Sequence, residues 1–104
     1  MNKIEGIGYD FVPRTCSRTL VDRWIKTDDQ NSFMNSKRLM KEGLFVGGSA
    51  GSVMTAALKF IKEAGWENDP TKRVVCIFSD SIRNYMTKFL SNEWCVENGF
   101  LPYE

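Results

Sequence analysis

The alternation of apolar and polar positions divides the chain into short runs bounded by glycine and proline. Residues 4–13, IEGIGYDFVP, read as an extended loop, and residues 20–25 alternate as a short strand. A helix is then predicted after Thr27-Asp28-Asp29-Gln30, which has the form of a capping box with Thr27 as the cap. Asp28 and Asp29 suit its positive end, while Lys37, Arg38 and Lys41 suit its other end, and Gly43 stops it. Phe33, Leu39 and Met40 form its apolar face. Residues 44–46 read as a short buried strand. Residues 50–64 make a second helix ended by Gly65, with so little polar surface that it is expected to be largely buried. WENDPTK is a polar turn, and the continuous run VVCIF, residues 74–78, predicts a strand covered on both faces. The tail begins as a polar loop and ends in a short helix stopped at Gly99.

Helix, strand, helix, strand, helix suggests layers of an α/β fold. Two or three strands cannot close a covered parallel sheet by themselves, so the 104 residues read as a single partial domain. Trp24, Trp66, Trp94, Tyr85 and Phe89 are assigned to packing.

Composition narrows the function without naming it. The chain is 42% hydrophobic and 26% charged, with 14 basic and 13 acidic residues spread along it, which argues against nucleic acid and membrane as partners. No run reaches a membrane span and MNKIEG lacks a signal-peptide core, so a cytoplasmic location is expected. Cys16, Cys76 and Cys95 are odd in number and widely spaced, which argues against a disulfide framework and a zinc site.

Gly47-Gly48-Ser49-Ala50-Gly51 satisfies G-x-S-x-G, the nucleophile elbow of serine hydrolases. Such a serine must pass its proton to a base, normally histidine, and this chain contains no histidine. Lys41 and Lys59, the lysines nearest in sequence, fall on predicted helices about two turns away with nothing to desolvate them. Ser49 is therefore not read as a nucleophile.

EGIGYDFVP at 5–13, GLFVGGSAGS at 43–52 and DSIRNYMTKFLSNEW at 80–94, in that order and spacing, resemble the family of cystathionine β-synthase and cysteine synthase. The resemblance spans nearly the whole chain. It implies a fold-type II pyridoxal-phosphate enzyme with a partial three-layer α/β/α domain of the tryptophan synthase β type. It also implies β-replacement of serine with homocysteine, or with sulfide in the sulfhydrylase branch, and a homodimeric full-length enzyme.

Carried over by residue, Ser49 becomes the hydroxyl that meets the pyridine nitrogen of pyridoxal 5'-phosphate, with Gly47 and Gly48 allowing close approach of the ring. Gly6, Ile7, Gly8 and Tyr9 match the substrate-access loop. Asp80, Ser81 and Arg83 match the loop behind the ring and shape the pocket, although Ser79 stands where many relatives carry proline. A neutral serine at a helix amino terminus disfavours a protonated ring nitrogen. The family's cofactor-holding lysine, ring asparagine and phosphate loop have no counterpart here, and Lys88 matches an ordinary lysine. No catalytic residue and no metal ligand is therefore assigned, and the chain is expected to be catalytically incomplete, as a fragment or a non-catalytic interaction piece.

Overall fold

The computed structural model describes residues 2–102. Its regular elements are three α-helices, α1 (Asp29–Lys41), α2 (Gly48–Ala64) and α3 (Asn92–Glu97), and two 3-10 turns at Arg18–Leu20 and Ile82–Tyr85.

The amino end of α1 falls one residue from the predicted position. Asp28 is the cap: its carboxylate accepts from the Asn31 amide and the Asn31 side chain, each at 2.8 Å. Thr27 instead shares a hydrogen bond with the Ser52 hydroxyl at 2.6 Å, and Gln30 accepts from the Leu101 amide at 2.8 Å. A carboxylate that accepts two hydrogen bonds outcompetes a neighbouring hydroxyl for the role. The Asn31 side chain, then the Asn31 amide, hold the Asp28 carboxyl below the usual carboxylate range. Its contribution is therefore complete above the unfolded carboxyl's pKa and is lost as pH falls through the folded one. Asp28→Ala is expected to cost about 1 kcal/mol at neutral pH. Urea unfolding of both proteins at pH 7 and in acid should show the difference shrinking on acidification.

The buried side of α1 is more polar than the pattern suggested. Phe33 is buried, but its buried neighbours are Ser32, Asn35, Ser36 and Lys37, while Leu39 and Met40 are only partly covered. The hydroxyls are satisfied: Ser32 donates to the Asp28 carbonyl at 2.6 Å, and Ser36 reaches the Val46 and Gly47 carbonyls at 3.2 and 3.1 Å. Asn35 donates to the Thr55 hydroxyl, which in turn donates to the Gly51 carbonyl. Small hydrogen-bonded side chains let α1 and α2 approach closely, and Gly51 lies where they are closest.

Beside this contact is a small aromatic core. Phe33 stacks on Phe89 at 4.9 Å between centroids and 16° between planes, and meets Trp94 and Phe100 edge-on. Ile4 and Tyr85 complete the buried cluster. Cys95 donates to the Phe89 carbonyl at 3.2 Å and accepts from the Lys37 amine at 3.7 Å. Phe89, Tyr85 and Trp94 thus pack as expected. Trp24, at 65% exposed, does not.

The three predicted strands do not form. Among the described residues the one trace of pairing is an antiparallel bridge between Val46 and Ser81. Residues 20–25 hold only the end of a 3-10 turn, residues 44–46 are largely exposed, and residues 74–78 take no regular conformation, with Val75 81% and Ile77 78% exposed. A strand is completed by its neighbours' hydrogen bonds, and the single bridge at Val46 is too little to extend into a ladder. The expected burial of α2 fails likewise: only Gly48, Ala50, Gly51 and Ser52 are buried, while Val53 and Leu58 are exposed. The helical stops are as predicted, with Gly65 left-handed at φ 69° after α2 and Gly99 at φ 79° after α3. Among the described residues no helix is long and apolar enough to cross a membrane.

Candidate functional site

Everything that converges on Ser49 is placed by the start of α2. Gly47 caps the helix with extended backbone and no side chain, so the helix begins at Gly48, two residues before the predicted start. The loop at 79–85 closes over this point. The Gly47 amide donates to the Asp80 carbonyl at 3.2 Å, and the Ile82 amide donates to the Phe45 carbonyl at 3.1 Å. Glycine at 47 is a packing requirement, because a Cβ there would run into the Asp80 carboxylate and lie 2.8 Å from Tyr85 Cε2. At Gly48 a Cβ would press on the Phe33 ring, 3.1 Å from Cε1. The space that these two glycines leave in their Cβ directions is thus taken by the protein's own side chains.

Asp80 is held from one side. The Tyr85 hydroxyl donates to Asp80 Oδ2 at 2.5 Å, and this bond, with burial and the nearby negative charge, pushes the phenol up to about 12. Oδ1, the other oxygen, is buried without a partner among the described residues. A buried acceptor without a donor is costly, so its location is informative.

These groups border a cavity of about 300 Å³. It is lined by Ser49, Ser52 and Val53 of α2, by Glu5, Gly6 and Ile7 of the first loop, and by Ser79, Asp80 and Tyr85. Of the residues singled out from the sequence, Ser49, Gly6, Ile7 and Asp80 are brought together here. Gly8 and Tyr9 line a second cavity of about 490 Å³ with Phe11, Arg18 and Trp24, so the first loop divides between two hollows at the Ile7-Gly8 bond. Ser81 caps the 3-10 turn by accepting from the Arg83 amide, and both residues are exposed outside the cavity. Tyr85 and Ser52 are the site residues that sequence reasoning missed. The Asp80 to Tyr85 spacing fits no helix face and gave no signal.

The cavity offers hydroxyls, carboxylates and an aromatic edge, and no basic side chain lines it. That donor set fits the flat polar edge of a heterocycle and does not fit a phosphate group. Lys88 does not line the cavity but ion-pairs with Glu5, which does, and neither Lys41 nor Lys59 borders it. Among the described residues no cluster of His, Cys, Asp and Glu could hold a metal ion.

Known proteins match the chain over nearly its whole length. Over 103 residues, 98% of the chain, the sequence is 53% identical to cystathionine β-synthase of Dictyostelium discoideum. Over almost its whole length the chain is thus similar to one stretch of a cystathionine β-synthase. The Saccharomyces cerevisiae cystathionine β-synthase is 48% identical over 92% of the chain, and a cysteine synthase of Buchnera aphidicola is 35% identical over 96% of it. No protein-family model matches the chain. It spans about one fifth of the length of the cystathionine β-synthases it matches, 20% and 19% in these two cases, and 31% of the cysteine synthase. Cystathionine β-synthases thus match the chain over all three segments that carry the resemblance, including the VGGSAGS turn and the DSIRNY loop that meet at Ser49.

Proposed function

We propose that this chain supplies the pyridine-nitrogen side of a pyridoxal 5'-phosphate site in an enzyme of cystathionine β-synthase type, which replaces the hydroxyl of serine by the thiol of homocysteine. The observation that carries the proposal is Ser49 in the first turn of α2, on the lining of a cavity that holds hydroxyls and carboxylates but no basic group. When bound, pyridoxal phosphate supplies an electron sink for amino-acid chemistry. The Ser49 hydroxyl would donate to the ring nitrogen. The amino end of α2 carries roughly half a positive charge, which disfavours a further proton on that nitrogen. Gly6 and Ile7 line the same cavity and would leave room for amino-acid substrates.

No lysine of this chain lines the cavity, so the residue that holds the aldehyde and the loop that holds the phosphate must come from other sequence. We assign the chain to a single partial domain on the same ground. In the completed fold, a three-layer α/β/α arrangement, residues 74–78 would gain strand neighbours, and the whole enzyme is taken as a homodimer. Three free cysteines suit the cytoplasm. The 35% identity to a cysteine synthase keeps sulfide as the alternative incoming thiol.

The test is reconstitution. The chain, mixed with a separately expressed upstream part of the cystathionine β-synthase of Dictyostelium discoideum and with pyridoxal phosphate, should turn over serine with homocysteine. Turnover with sulfide alone would move the assignment to the sulfhydrylase branch, and none with either would overturn the catalytic reading. In that assembly Ser49→Ala should lower turnover roughly fivefold, for the loss of a hydrogen bond worth about 1 kcal/mol, and Ser49→Asp should lower it further.

A further inference from the structure

The Tyr85 ring sits in the core cluster, as a packing residue should. Its hydroxyl has a second task. It donates to Asp80 Oδ2 at 2.5 Å, and Asp80 stands against Gly47, the residue at which α2 begins without a side-chain cap. The backbone of the same aspartate accepts from the Gly47 amide at 3.2 Å. Oδ1, buried and unpartnered among the described residues, occupies the space into which a Gly47 Cβ would project. A carboxylate at this point lies beside the positive end of the α2 dipole, where the helix has no side-chain cap. Its orientation depends on the Tyr85 hydroxyl.

We propose that Tyr85 is a positioning residue for Ser49. By fixing the Asp80 carboxylate against Gly47 it closes the amino end of α2 and sets where the Ser49 hydroxyl meets a bound heterocycle. The assignment rests on the cofactor reading above, from which it can be separated by experiment.

The test uses the reconstituted assembly described above with Tyr85→Phe in this chain, which keeps the ring in the core and removes only the hydroxyl. The probe is pyridoxal phosphate up to millimolar concentration, followed by the nuclear magnetic resonance shift of the Ser49 amide, with amide hydrogen exchange at Gly47 recorded in parallel. Tyr85→Phe should exchange Gly47 faster and weaken the Ser49 response at least about fivefold, the equivalent of one lost hydrogen bond. Asp80→Asn should do the same. The double variant should be no worse than the worse single, because the two residues act as one unit. Phe100→Leu, which loosens the same core through Phe33 and Trp94 and makes no ring contact with Tyr85, should lower the unfolding midpoint and leave the Ser49 response unchanged.

Wild-type binding with an unaltered response in Tyr85→Phe would overturn the positioning role alone. Absence of any Ser49 response in the wild type would overturn the cofactor reading and this assignment with it.

Discussion

Gly51→Ala is expected to destabilise the chain by about 2 kcal/mol or more, although it removes a glycine from the interior of a helix. The propensity change alone would stabilise α2 by about 1 kcal/mol. Against it stands the contact between the two helices, because a Cβ on Gly51 would run into the Ser32 carbonyl and lie 2.8 Å from the Ser36 amide nitrogen. Both obstacles are backbone of α1 and cannot rotate away. The helices would have to separate, stretching the Asn35 to Thr55 bond and lifting Ser36 from the Val46 and Gly47 carbonyls. Overpacking of a close contact costs roughly 1–3 kcal/mol and occasionally more, and buried hydroxyls that lose their partners add to it. Urea unfolding followed by circular dichroism measures the effect. Gly48→Ala is the comparison: its Cβ would meet the Phe33 ring, a side chain able to shift, and the cost should be smaller. A Gly51→Ala protein as stable as the wild type would show that α1 and α2 do not pack as described.

The second large effect is at Phe89. Its side chain is 1% exposed, stacked on Phe33 and tilted against Tyr85 at 5.7 Å. Phe89→Ala should cost about 3–5 kcal/mol, the transfer of a full aromatic side chain plus the cavity it leaves. The core has few other members to take up the loss: Ile4, Phe33 and Tyr85 are the rest of the buried cluster. For a chain this small the change approaches the whole margin of stability. Cooperative thermal unfolding should disappear or move well below that of the wild type. Trp24→Ala, on a side chain 65% exposed, should change stability by no more than about 0.5 kcal/mol. Equal effects at the two positions would place the core elsewhere.

The contrast between these residues also shows what the sequence could and could not convey. The helical stops at Gly65 and Gly99 were legible because a left-handed residue after a helix is a local requirement, decided by the glycine itself. The start of α1 was legible to within a residue, and the error lay in choosing between two adjacent oxygen-bearing side chains. The burial of Ser32 and Ser36 was not legible. Apolar periodicity looks for large side chains, whereas this helix contact is made by small hydroxyls that pair with backbone carbonyls. Residues 74–78 failed for the opposite reason. Their β-branched and aromatic character marks a segment made to be covered, but covering is supplied from outside the segment, and it stays exposed here.

At the site, the G-x-S-x-G pattern locates the turn but suggests the wrong chemistry, and the absence of histidine is enough to remove that suggestion. The meeting of Asp80 with Gly47 could not be anticipated from residues so far apart in the chain. Nor could the separation of Ile7 from Gly8 into different cavities. Both follow from how the loops fold over the amino end of α2.

That the Ser49 hydroxyl is the partner of a pyridine nitrogen is tested most directly with pyridoxal phosphate labelled with nitrogen-15 in the ring. Its nitrogen resonance is recorded in the presence of the reconstituted assembly that carries this chain or its Ser49→Ala variant. The wild type should displace the resonance from that of the free cofactor to the position of a neutral, hydrogen-bonded pyridine, and Ser49→Ala should return it toward the free position. A resonance that does not move, or that moves equally with the variant, would contradict the assignment of Ser49.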